Sequence, residues 1–148
     1  MESVVSDQMF ALLEAKQTLL DAKMYGKDAK PFNSERTRVI FSTSIGKASY
    51  MLSHRMEHGK LETIMRNSHV PEKLIGRVME RIKDSNQDWN EASHPGFLAN
   101  VVAGRIGNRF DLYGTNCTVD AACAGGFAAL KYAAEELETG ESDIVLTG

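Results

Sequence analysis

The segment Val119-Asp120-Ala121-Ala122-Cys123-Ala124-Gly125-Gly126-Phe127 puts a cysteine where a β-prone run gives way to an Ala-rich helical one. Small residues on both sides allow the backbone to bend tightly, in the manner of a nucleophile elbow. A cysteine in the first turn of a helix faces unpaired backbone N–H groups and the positive end of the macrodipole, and both favour thiolate over thiol. The same amides can donate to the oxyanion that forms when a thiolate attacks a thioester carbonyl. A second reading uses the same residues. Cysteine is among the most buried residue types, Phe127, Leu130, Ala134 and Leu137 form a stripe that faces a core, and Cys123 lies near its extension. Residue types and spacing leave nucleophile and core residue both open.

The other residues able to do chemistry carry weaker signals. Cys117 fits neither a CxxC redox pair nor a zinc knuckle and reads as a core residue on the incoming strand. His54 and His58 stand at i,i+4 on a helical stretch, as a metal pair would. Arg55 after His54 breaks the HExxH pattern and no third ligand is evident, so no metal is assigned. His69 before a helix start and His94 before a turn read as solvent-facing.

These residues must be positioned by the elements around them. Met9, Phe10, Leu12, Leu13, Leu19 and Leu20 give a broad apolar stripe at helical spacing over residues 7–25, with Gly26 as its stop. A turn over 30–34 leads to a buried strand over 37–43, centred on Val39, Ile40 and Phe41. Residues 46–88 carry most of the charge. Leu61, Ile64 and Met65, then Leu74, Ile75, Val78 and Ile82, recur there at helical intervals and predict surface helices covering other elements, the second beginning near Pro71. His94-Pro95-Gly96 punctuates the chain before a helix over 97–110, in which Ala99, Ala103, Gly104 and Gly107 permit close packing. A strand over 115–120, a helix over 123–138 stopped by Gly140 and a strand over 143–147 follow. Strands alternating with helices predict an α/β fold with a mainly parallel sheet. No internal repeat or low-complexity segment is present.

Seventeen Lys and Arg against 20 Asp and Glu give a formal charge of −3, with both signs interspersed, so no basic face is offered to nucleic acid or an anionic membrane. The start MESVVSDQ lacks a basic segment followed by an apolar one, and no apolar run approaches the roughly 20 residues of a membrane span. The expected location is cytoplasmic. Two cysteines make no disulfide framework, and reduced thiols are expected. The length suits one domain, and a buried strand ending at the chain's last residues is expected of a piece of a larger one.

The block NCTVDAACAGGFAALKYAAEELETGESDIVLTG resembles the active-site block of β-ketoacyl synthases. Upstream, Trp89-Asn90-Glu91, Ser93-His94-Pro95-Gly96-Phe97-Leu98-Ala99-Asn100-Val101-Val102-Ala103-Gly104-Arg105-Ile106 and Asn108-Arg109-Phe110-Asp111-Leu112 resemble the segment before the active site in ketosynthases of iterative polyunsaturated fatty acid synthases and related polyketide synthases. RTRVIFSTSIG resembles the second strand of that domain. The resemblance runs from about Asp7 to the end and is most specific around Cys123. One departure is Gly126, where the family usually has serine or another small polar residue; a helix-interior Gly costs about 1 kcal/mol against Ala.

The resemblance implies a thiolase-like layered α/β fold, incomplete here. Residues 1–148 would form the N-terminal portion of a ketosynthase domain, lacking its first strand and its second half, with no second domain. It implies Cys123 as the acyl-accepting nucleophile of a decarboxylative Claisen condensation with malonyl-acyl carrier protein, in fatty acid or polyketide biosynthesis. The partners would be an acyl carrier protein bearing phosphopantetheine-bound acyl and malonyl groups, and a second copy in a homodimer with residues 115–120 at the interface. No cofactor is implied. The family's two catalytic histidines and its lysine lie in the second half, so the four histidines here are not those residues, and this chain alone is expected not to condense. Three alternatives stay open: another thiolase-like acyltransferase such as a degradative thiolase, a non-catalytic chain-length-factor type of partner, and an inert fragment with an interaction role. The first should lack the Pro-Gly to Gly-Arg-Ile segment, and the second should replace the cysteine.

Overall fold

The computed structural model describes residues 6–44, 46–85, 91, 95–96 and 98–148; the expectations resting on Trp89, Asn90, Ser93, His94 and Phe97 lie outside them. The apolar run of Val39, Ile40 and Phe41 forms Thr37–Ser42 (β1), the middle strand of a three-stranded sheet between Asn116–Val119 (β2) and Ile144–Thr147 (β3). Both pairings are parallel, with Ser42 opposite Val119 and Ile40 opposite Thr147. Thr37, Val39, Ile40 and Phe41 are all buried, as a central parallel strand covered on two faces requires. The α/β prediction with a parallel sheet and covering helices holds.

Ser6–Asp21 (α1) and Val101–Phe110 (α4) cover one face, where Ala15, Val102, Ala103 and Ile106 pack with Val39, Phe41 and Leu146. Gly125–Glu138 (α5) covers the other, and Gly125 meets Ser42 there. The Gln8 side chain pins the start of α1 to the chain before α4, donating to the carbonyls of Pro95 at 3.0 Å and Gly96 at 3.1 Å. Arg36 pairs with Asp143 at 2.8 Å, and Arg38 pairs with Glu136 and Glu141, so the start of β1 is tied to the α5–β3 connection.

Several boundaries differ from the sequence reading. α1 stops at Asp21 and not near Gly26, because Lys23 takes the left-handed conformation (φ 56°) and Met24 N–H donates back to Leu19 O at 2.8 Å, a Schellman closure usually made by Gly. α4 begins at Val101, after a turn through Leu98, and ends at Asp111 (φ 55°) with Leu112 N–H bonded to Gly107 O. The charged middle forms Gly46–Asn67 (α2) and Glu72–Ser85 (α3). His69 (φ 57°) closes α2 in the same left-handed way and is exposed. These are surface helices, as expected, and what they cover is mainly each other around Ile75, with Met56, Ile64 and Leu74 left exposed.

Candidate active site at a strained strand-to-helix bend

The C-terminal ends of the three parallel strands share one edge of the sheet, the edge at which ligands bind in open α/β folds. Leaving β2, the backbone passes through Asp120 and Ala121 (φ −134°, ψ 34°) and reverses at Ala122, which is held at φ 47°. That region disfavours a residue with a Cβ and persists only where the surroundings over-determine it. Three features do so. The Asp120 carboxylate accepts from Ala122 N–H at 3.0 Å; Thr43 N–H bonds Val119 O at 3.1 Å, fixing the end of β2 against β1; and Gly125 lies so close to Ser42 that an added Cβ would stand 1.9 Å from its Oγ.

Cys123 follows directly and is exposed. It lies in a single 3-10 turn, Ala122–Ala124, so the expected place within the first turn of the α-helix is corrected: α5 starts two residues later, at Gly125. The tighter turn consumes amides that the sequence reading left free. Ala124 N–H donates to Ala121 O at 3.0 Å and Gly125 N–H to Ala122 O, whereas no partner is found for Cys123 N–H among the described residues. Cys123 N–H is therefore one donor open to an oxyanion beside the sulfur.

The alternative that put Cys123 in the core stripe of α5 rested on Phe127, Leu130, Ala134 and Leu137, and that stripe is corrected. Phe127 is 79% exposed and Leu130 56%, while Gly125, Ala129 and Ala133 are buried against the sheet. Small residues form the buried face because α5 lies too close to β1 for larger side chains. Cys117, expected in the core, is exposed on β2, an edge strand of this sheet. Asp120 and Ser42 were missed as positioning residues; the signal for the first was an Asx spacing, a carboxylate two residues before the amide it caps.

His54 and His58 touch edge to face, with His58 Nε2 and His54 Nδ1 3.2 Å apart. Among the described residues no group of three His, Cys, Asp or Glu could hold a metal ion, and no helix is long and apolar enough to cross a membrane.

The family model for "Beta-ketoacyl synthase, N-terminal domain" matches residues 1–148. One of the polyunsaturated fatty acid synthase subunits of Thraustochytrium sp. is 37% identical over 151 residues, covering 100% of this chain and 5% of that protein. The highly reducing polyketide synthase sdnO of Sordaria araneosa is 44% identical over 32% of this chain and 2% of its own length. The spectinabilin polyketide synthase system protein NorC of Streptomyces orinoci is 40% identical over 39% of this chain and 3% of its own. Among solved structures, the ishigamide ketosynthase/chain length factor superposes with a TM-score of 0.59 at 22% identity, over 95% of this chain and 32% of that one, a likeness of fold.

Proposed function

We propose, for a chain that belongs to the β-ketoacyl synthase family, that Cys123 is the residue that takes up the acyl group. The observation that carries this reading is the exposed thiol directly after Ala122 at φ 47°, on a bend held by Asp120 and by the contact of Gly125 with Ser42. A nucleophile fixed by its own backbone needs no ordering by each substrate, which is the orientation advantage an enzyme exploits.

In the reaction proposed, the Cys123 sulfur attacks the carbonyl of an acyl thioester carried by the phosphopantetheine arm of an acyl carrier protein or by coenzyme A. Negative charge gathers on the carbonyl oxygen beside Cys123 N–H, and collapse breaks the bond to the carrier sulfur, which leaves as a thiolate. A malonyl group on the carrier protein then loses carbon dioxide. The resulting enolate carbon attacks the Cys123 thioester, frees the cysteine and leaves a β-ketoacyl chain on the carrier. Donors for the enolate belong, by family, to the domain's second half. No step of the scheme calls for a metal, nicotinamide or flavin.

On this reading residues 1–148 are the N-terminal portion of a ketosynthase domain, and the outward Phe127, Leu130 and Leu137 of α5 support further elements packed over that helix. The intact domain would be a homodimer joined at the free edge of β2 and working in a reducing cytoplasm, which suits two free thiols.

The test compares this chain with a version extended through the second half, following acyl transfer by intact mass and condensation by product formed from malonyl-loaded carrier protein. The expected result is slow acylation by both and condensation by the longer one, with the shorter at least a thousandfold below it. Efficient condensation by the 148-residue chain, or equal acylation of Cys123→Ala, contradicts the proposal.

A further inference from the structure

A cleft of about 480 Å³ opens at the other end of β2, between α1 and α4, lined by Leu12, Val101, Gly104, the two arginines Arg105 and Arg109, and three asparagines, Asn100, Asn108 and Asn116. Asn116 begins β2, and Cys123 lies beyond the strand's far end, so the cleft is separate from the bend. Its volume falls within the range of small-molecule sites. No acidic residue lines it.

Arg105 and Arg109 stand one turn apart on α4, so both guanidinium groups reach the same space. Among the described residues neither forms an ion pair, and Arg105 Nε is shielded from solvent with no hydrogen-bond partner. Arg77 and Arg81 on α3 are also outside these pairs, but they are exposed and water satisfies them. Arg105 Nε, closed off from water, is closed off from a ligand as well, so recognition falls to the parts of Arg105 and Arg109 that line the cleft. A guanidinium fork matches the paired oxygens of a phosphate or carboxylate, and the asparagine amides can donate to the remaining oxygens.

We propose that this cleft binds a small molecule through an oxyanionic group, a phosphate or carboxylate held between Arg105 and Arg109, with Asn116 as a further donor. The site is independent of Cys123.

The experiment titrates the full chain by calorimetry with pyrophosphate and, at matched ionic strength, with citrate. Saturable one-site binding is expected, and the tighter of the two anions identifies the oxyanion. Arg105→Gln and Arg109→Gln should each weaken binding at least tenfold, Asn116→Asp should abolish it by setting a carboxylate in the lining, and Arg77→Gln and Cys123→Ala should leave it unchanged. Circular dichroism checks each variant; where Arg105→Gln loses its fold, Arg109→Gln and Asn116→Asp decide. Absence of saturable binding to either anion overturns the proposal. So does wild-type affinity in the folded cleft variants, or an equal loss in Arg77→Gln.

Discussion

Around the sheet, two glycines are required by contact: a Cβ on Gly114 would stand 2.3 Å from the Thr37 carbonyl oxygen, and one on Gly125 1.9 Å from Ser42 Oγ. In the α2–α3 hairpin, Gly59 and Gly76 have no heavy atom within 4 Å of where a Cβ would be. The difference reflects how each region is assembled. β1 receives segments from far along the chain, with Tyr113 and Gly114 N–H both donating to Ser34 O and Asp143 N–H to Arg36 O, and such close approaches leave no room for side chains. The hairpin is local, two consecutive helices laid on each other and linked by the pair of Arg66 on α2 with Glu72 on α3. The candidate site belongs to the first kind of region, so its geometry depends on residues distant in sequence.

The same change, glycine to alanine, tests this contrast most sharply at Gly114. The atom in its way is backbone, which has nowhere to move, and Gly114→Ala should cost about 3 kcal/mol, the upper end of overpacking penalties, read as a lower denaturant midpoint at constant slope. A midpoint within error of the parent chain would mean that the loop does not press on β1. Gly125→Ala comes next, at about 1–2 kcal/mol. Ser42 Oγ can rotate aside, but Ser42 Cβ remains 3.1 Å from the new methyl group. The double variant with Ser42→Gly should recover most of that loss; without recovery, the contact between α5 and β1 is not what sets the bend. Gly59→Ala is the smallest effect and has the opposite sign, a gain of up to about 1 kcal/mol from helix propensity alone. A loss there would place an unseen partner against α2.

The strands were legible in the sequence because Val39-Ile40-Phe41 and Ile144-Val145-Leu146 are short apolar runs between turn signals, and Gly140 (φ 70°) ends α5 as its type suggested. The bend was legible as a motif, since only small residues surround Cys123. Its detailed form was not. Lys23, His69, Asp111 and Ala122 all occupy left-handed backbone usually left to glycine; the first three close helices through local backbone hydrogen bonds, and Ala122 lies on the bend held by Asp120 and by the contact of Gly125 with Ser42. The buried face of α5 was misread for a related reason: Phe127 and Leu130 weigh more in any periodicity than Gly125, Ala129 and Ala133, yet close approach to a strand selects the small residues. Cys117 shows the limit of reasoning from residue type, because its exposure follows from β2 being an edge strand, a property of topology.

Both thiols are exposed, so accessibility alone does not distinguish Cys123 from Cys117, and what sets Cys123 apart is the backbone geometry of the bend. Incubation with an acyl-coenzyme A thioester, followed by peptide mapping, tests it directly. Acyl mass is expected on the peptide containing Cys123, retained in Cys117→Ala and lost in Cys123→Ala, while Cys117 in the parent chain stays unmodified. Equal acylation of the two cysteines, or acylation of Cys117 alone, would contradict it.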